Sequence, residues 1–329
     1  MIQQLSIKNF KSIKGLKFPC KKLNVFIGEP NSGKSNIIEA LALRSQNAVM
    51  MELNKQMFRY KTIGDLFYDF NINKPIEVIT EDISTILKYA VSENGGINNQ
   101  FSLIVDSRFN INPLIISSDG KKNGGTSINP SNINVHLYEY KRLAAFSDVY
   151  SPNLSAPYGE NLAILLRSNS EYKDWVKDFL KEKKLTLTIK PTENEILASK
   201  LINDEIYSYP YSSLSETLQR IIFYTIAIKS NKDSTILFDE PETNTFPLYT
   251  KLLAETIALD ESNQFFVTTH NPYLLQNLIE KSKISDLNVC IVEMKDYQTK
   301  LSVLNEDQIS QVLDLNSDVF FNFDKILAK

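Results

Sequence analysis

The stretch NVFIGEPNSGKSNIIEAL, residues 24–41, decides how this chain is read. It opens on an apolar run that reads as a strand. Gly28-Glu29-Pro30-Asn31-Ser32-Gly33-Lys34-Ser35 then fits G-x-x-x-x-G-K-[ST] without a mismatch, and the residues after Lys34 keep apolar positions at helical spacing. The glycines permit backbone angles that turn successive N–H groups inward around a phosphate, and the start of the following helix adds its positive end. In such a loop the Lys34 ammonium reaches the β- and γ-phosphates and the Ser35 hydroxyl is a ligand of Mg2+. The stretch therefore predicts a nucleoside triphosphate ligand. Loops of this kind serve many ATPases and GTPases, so the loop names a ligand and leaves the function open.

Two downstream segments narrow it. STILFDEPE places four strand-forming residues before Asp239 and Glu240, so both acids emerge at the end of a buried strand. Adjacent carboxylates there suit two tasks: Asp239 holding a hydrated magnesium and Glu240 polarising an attacking water. QFFVTTHNPYLL is another apolar strand, ending in Thr268-Thr269-His270, with one of only two histidines in the chain. Each feature alone has an ordinary explanation, an acidic turn or a satisfied loop histidine. Together, Lys34-Ser35, Asp239-Glu240 and His270 are expected to converge on one edge of a parallel sheet, where such folds bind their ligands.

Around these segments the chain alternates pattern. QQLSIKNF and GLKFPCKKLNVFIG read as strands with KSIKG as the turn, and SNIIEALALRSQNAVMMELNKQ as helix. PIEVITE, FSLIVDS and INVHLYEY are strand candidates separated by polar loops, which predicts an antiparallel sheet. Residues 160–185 have an amphipathic helical pattern with a lysine-rich face. From LSETLQRIIFYTIAIKS onward, strand and helix alternate in the βαβ rhythm of a largely parallel sheet.

The chain has 329 residues, 43% of them apolar, enough for a sizeable core. A formal charge of −3 and a pI near 5.7 give no global attraction to nucleic acid. Cys20 and Cys290 lack any CxxC spacing, so neither zinc nor a disulfide framework is expected. There is no long apolar run and no charged-then-apolar beginning, so no signal peptide, no membrane span and a cytoplasmic location are expected.

With these motifs in order, the chain resembles the ABC-type ATPase superfamily, in the soluble branch that includes RecF, SMC and OLD ATPases. The resemblance rests on LSIKNFKSIKGLKF…LNVFIGEPNSGKSNIIEAL with its NFKS turn, on YSSLSETLQR where the signature motif belongs, on ILFDEPE and on TTHNPYLL. It covers roughly residues 1–45 and 205–280. It implies an α/β fold: an ABC-ATPase head with a mostly parallel sheet, an antiparallel β subdomain and a helical lid or arm. The expected organisation is one composite domain, with residues 1–60 and 205–329 as nucleotide-binding core, 61–140 as an antiparallel β region and 141–204 as the helical lid. ATP and Mg2+ are the implied cofactors. The nucleotide site would comprise Lys11, Gly28, Glu29, Pro30, Asn31, Ser32, Gly33, Lys34, Ser35 and Asn36, with Ser215 completing it in trans. Ser35 and Asp239 would hold the metal, Glu240 would be the general base, Lys34 would bind phosphate and His270 would contact the γ-phosphate.

Departures from the pattern are informative. Ser215-Glu216-Thr217-Leu218-Gln219 has no glycine where transport ATPases have two, which weakens or alters the contact in trans and makes slow turnover or clamp-like use of ATP plausible. No residue is assigned to a glutamine loop, and Thr245 stands where relatives often have histidine or leucine. The segment after His270 is short for the Toprim nuclease domain of OLD proteins and contains no DxD pair.

Three functions compete. The first is a switch that dimerises around Mg-ATP, as a homodimer or a higher oligomer, and controls a separate effector, as in anti-phage modules built on related ATPases. The second is a RecF-like clamp that binds DNA through lysines of segment 171–190, such as Lys173, Lys177 and Lys181. The third is a nucleotide-stabilised scaffold with little turnover.

Overall fold

A computed structural model describes residues 1–45, 53–81, 83–90, 100–105, 113–125 and 134–327. Its centre is a six-stranded sheet in the order β16-β15-β3-β14-β13-β9. β3 (Leu23–Ile27), β13 (Thr235–Asp239), β14 (Gln264–Thr268) and β15 (Leu287–Lys295) run parallel with β9 (Val135–Tyr138), while β16 (Gln298–Val303) returns antiparallel to β15. These central strands read as continuous apolar runs because both faces of the sheet are covered. The period-2 alternation divides their side chains between two cores. Val25, Ile27, Ile236, Phe238, Phe265 and Val267 enter one, whereas Phe26, Leu237 and Phe266 enter the other.

On the first face lie α5 (Glu216–Ser230), α6 (Pro247–Ala258) and α7 (Pro272–Lys281), whose buried faces contribute Ile222, Leu253 and Leu275. Their starts are written locally. Pro247 and Pro272 occupy the first helical turn, where a missing N–H costs nothing, and the Asn271 side chain accepts the N–H groups of Tyr273 and Leu274. On the second face lies α1 (Lys34–Ala42), which buries Ile37, Ile38, Leu41 and Ala42 between the central sheet and a seven-stranded antiparallel sheet. That outer sheet has the order β2-β1-β4-β5-β6-β7-β8, built from β1 (Gln4–Phe10), β2 (Ile13–Pro19), β4 (Ile76–Ile79), β5 (Ser84–Ala90), β6 (Gln100–Ile104), β7 (Leu114–Ser117) and β8 (Lys122–Gly124). A short helix, α2 (Lys55–Phe58), adds Met57 and Phe58 to the same core.

Several expectations require correction. The turn in KSIKG is only Lys11-Ser12, because Ile13 already pairs with Phe10. β1 and β2, assigned above to the nucleotide-binding core, form a hairpin whose β1 also pairs with β4, so both lie in the antiparallel sheet. Conversely, the strand in INVHLYEY was expected in the antiparallel region, yet β9 pairs in parallel with β13 at the edge of the central sheet. The expected helix over 160–185 is two helices, α3 (Leu162–Ser168) and α4 (Ser170–Lys181). Asn169 between them is extended, and its side chain caps α4 by accepting the Tyr172 N–H. Region 141–204 is not wholly helical, since β10 (Thr186–Lys190) and β11 (Glu195–Ile202) lie in it and join β12 (Glu205–Pro210) in a three-stranded sheet. Of the helix expected to run through SQNAVMMELNKQ, residues 46–52 lie outside the described residues. Among the described residues no helix is long and apolar enough to cross a membrane.

Candidate functional site

The phosphate loop leaves β3 and enters α1 through Gly33, whose φ of 99° is in the left-handed region that glycine tolerates. A Cβ at Gly33 would lie 2.0 Å from Thr299 Oγ1 and 2.9 Å from Ser12 Oγ. This close approach is part of a hydrogen-bonded chain behind the loop. Asn36 Nδ2 donates to Ser12 Oγ (2.7 Å), the Ser12 and Thr299 hydroxyls meet at 2.6 Å, and Thr299 Oγ1 donates to the Ser32 carbonyl (3.0 Å). With Thr299 spending its proton on Ser32, the Ser12 hydroxyl donates to Thr299. Gly33→Ala combines this clash with left-handed strain. It is expected to lower nucleotide affinity at least about tenfold, the equivalent of 1.4 kcal/mol, measurable by calorimetric titration.

Lys34 is 6% exposed and folds back over the loop, donating to the carbonyls of Gly28 and Glu29 at 2.9 Å each. Burial lowers its pKa, and the carboxylates of Glu240 and Asp239 oppose that shift. Ser35 Oγ donates to Asp239 Oδ1 at 3.0 Å, and the Thr268 hydroxyl donates to the same oxygen. Glu240 has a φ of 48°, unusual for a residue with a side chain, at a cost of about 1–2 kcal/mol. Its N–H is held in compensation by both the carbonyl (3.2 Å) and the hydroxyl (3.0 Å) of Thr268. The strained turn aims the Glu240 carboxylate at His270, with Oε1 3.1 Å from Nδ1. The ends of β3, β13 and β14 thus bring Lys34, Ser35, Asp239, Glu240 and His270 into one group.

The remaining expected residues have their own partners. The Lys11 ammonium pairs with Glu39 on α1 and donates to the Phe58 carbonyl (2.7 Å). The buried Glu39 also holds the exposed Arg59, so Lys11 is part of an ion cluster centred on Glu39. Ser215 caps α5 by accepting the Leu218 N–H, and no hydrogen bond among the described residues joins it to the Lys34–Asp239–His270 group. Asn31 has a φ of 62° within the loop, Glu29 and Pro30 are exposed, and Asn36 acts through Ser12.

Four contributing residues escaped sequence reasoning. Ser12 and Thr299 brace the loop from two different sheets. Glu139 follows β9, whose Tyr138 pairs with Phe238, so it stands beside Asp239; burial raises its pKa first and the Asp239 charge adds to that. The acidic residue directly after a short apolar strand was the available signal. Glu242 is the fourth acid near the group, 3% exposed, and burial raises it to about 7. Below pH 4.5 this carboxyl is protonated folded or unfolded; as pH rises towards 7 only the unfolded chain ionises, so wild-type stability falls across that window by on the order of 3 kcal/mol. Thermal unfolding of Glu242→Gln is therefore expected to show a melting temperature that gains on wild type between pH 5 and pH 8.

The arrangement fits a magnesium nucleotide. Ser32 Oγ, inside the loop, is buried and has no hydrogen-bond partner among the described residues, a polar atom suited to an anion. Among the described residues no group of three or more His, Cys, Asp and Glu could hold a metal by itself. Mg2+ binds through one or two protein oxygens, waters and substrate phosphates. Ser35 and Asp239 would supply the protein oxygens.

A family model described as "AAA domain, putative AbiEii toxin, Type IV TA system" matches residues 70–276. A curated "ATP/GTP phosphatase" of Helicobacter pylori (strain ATCC 700392 / 26695) is 29% identical over 109 residues, 29% of this chain and 30% of that protein, so the match spans less than a third of the relative. Among solved structures, an Smc head bound to the C-winged helix domain of ScpA superposes with a TM-score of 0.54 at 17% identity, over 94% of this chain and 99% of that one. An Smc head with a coiled coil and joint from Pyrococcus yayanosii gives 0.50 at 11% identity, over 95% and 99%. At these identities the likeness is one of fold.

Proposed function

The chain belongs to the AAA-domain family whose model spans residues 70–276, and on that premise we propose that it is an ABC-type P-loop ATPase of the SMC and RecF branch, a switch that closes head to head around Mg-ATP and reopens on slow hydrolysis. The observation that carries this reading is the hydrogen-bonded group Ser35–Asp239–Thr268 beside Glu240–His270, at the ends of three parallel strands. A bound magnesium nucleotide would supply the phosphoryl electrophile and the metal charge. Lys34 and the loop N–H groups bind phosphate oxygens, and Asp239 and Ser35 hold the metal. Glu240 accepts a proton from water, and His270, by occupying one carboxylate oxygen, leaves the other to do so. Ser215, at the N-terminus of α5, acts on the nucleotide of a second copy.

In this reading a separate effector reads the output of the switch, in a defence or DNA-related module; the family description, which names a putative toxin and a Type IV TA system, supports a setting with a second component. The alternative of a DNA clamp has less support. The sequence of α4 interleaves its lysines with Glu171, Asp174 and Asp178, and Lys190 is paired with Glu193 and Glu195. DNA binding titrated against salt, with and without ATP, is expected to be weak and shallow; a steep loss of affinity with salt would favour the clamp.

Phosphate release tests the enzymatic part. Wild type is expected to hydrolyse ATP below the typical enzyme rate of about 10 per second, with the rate abolished by EDTA. A rate that is undetectable in wild type, and no lower in Glu240→Gln, would leave only a nucleotide-stabilised scaffold.

A further inference from the structure

We infer that Glu242 is a positioning residue, holding through Thr269 the segment from which His270 reaches Glu240; this rests on the ATPase reading above. The Glu242 carboxylate accepts the Thr269 hydroxyl, and Thr269 Oγ1 accepts the Asn271 N–H at 2.9 Å. Thr269 is also fixed by its own N–H, which donates to the Phe26 carbonyl at the end of β3 (3.0 Å). The residues on both sides of His270 are therefore held by a chain that ends on Glu242. Glu242 is itself anchored, since its carbonyl accepts the Thr245 N–H (3.0 Å) in the turn after Glu240. Neighbouring Thr268 makes the corresponding clasp to Asp239 and Glu240. Two successive threonines thus tie the histidine segment to the carboxylate segment, one through the metal-side acid and one through Glu242.

A structural acid is a poor explanation for this side chain. Its Oε2 is buried with no hydrogen-bond partner among the described residues, a costly state in a protein interior. Glutamine or threonine could accept the Thr269 hydroxyl without placing a carboxyl there. Glu242 is instead linked, through Thr269, to the backbone that presents His270 to Glu240.

The test uses the full chain with histidine labelled for NMR, where His136 and His270 are the two imidazoles and His136→Gln identifies the signals. Thr269→Val removes the hydroxyl at constant shape, Thr269→Ser restores it, and Glu242→Leu breaks the same link from the other side. Thr269→Val is expected to shift the His270 resonances and lower kcat about tenfold with KM for ATP within about twofold, and Thr269→Ser to recover both. Glu242→Leu, if folded by circular dichroism, is expected to match Thr269→Val; if it does not fold, the valine and serine pair decides. An unmoved His270 signal with unchanged kcat in Thr269→Val would overturn the inference. If wild type shows no turnover at all, the ATPase reading fails, while the imidazole signal still reports on the clasp.

Discussion

Glu240→Gln is expected to lower the rate of ATP hydrolysis by about 10²- to 10⁴-fold, the range for loss of a positioned general base, with nucleotide affinity within about threefold of wild type. The substitution keeps the shape and the hydrogen bonds of the Glu240 backbone to Thr268, and the amide oxygen can still accept from His270 Nδ1. What it removes is the ability to take a proton. Glu240 is partly exposed beside His270, so water has access to the carboxylate. Single-turnover phosphate release alongside equilibrium nucleotide binding separates the two effects. Equal loss of rate and affinity would instead mean that Glu240 shapes the nucleotide site.

Lys34→Met is expected to have the opposite signature, a loss of nucleotide affinity of about 100-fold or more. Charge-assisted hydrogen bonds are worth about 1.5–3 kcal/mol each, and Lys34 is placed to offer two of them. Its ammonium already spans the Gly28 and Glu29 carbonyls, which shows that the side chain lies along the loop and not out in solvent. Burial of the cation, opposed by Asp239 and Glu240, means that the site carries an ammonium whose desolvation an anion would offset. Calorimetric titration with ATP measures the loss. Affinity within a factor of three of wild type would place the phosphates elsewhere.

These two residues were legible in the sequence for a physical reason. Central parallel strands are buried on both faces and read as unbroken apolar runs, so the polar residues that end them stand out. The runs VFI, ILF and FFV inside β3, β13 and β14 show this, and these strands are fully or almost fully buried. Local spacing then names the chemistry at each end. Glu139 carried only the local signal of an acid after a short apolar strand, which did not single it out because its place beside Asp239 depends on β9 pairing with β13 across about a hundred residues. The brace behind the loop was hidden for the same reason, since Ser12 and Thr299 are 287 positions apart. β12 was missed because all six of its residues are exposed, which leaves no inside and outside to alternate. The break at Asn169 is a capping event within an otherwise periodic helical pattern. Lys11 was placed by resemblance, and its buried pairing with Glu39 follows from the approach of the β1–β2 turn to α1, which sequence spacing does not reveal.

The glycine-free segment at Ser215 makes closure the most exposed part of the account, because the N–H groups that glycines would bring to a phosphate are replaced by the single helix start of α5. The decisive measurement is size-exclusion chromatography with light scattering on Glu240→Gln, without nucleotide, with ADP and with Mg-ATP. A mass that doubles with Mg-ATP and stays at one chain in the other two conditions is the predicted result. A mass unchanged by Mg-ATP, in a protein that binds it, would contradict the switch.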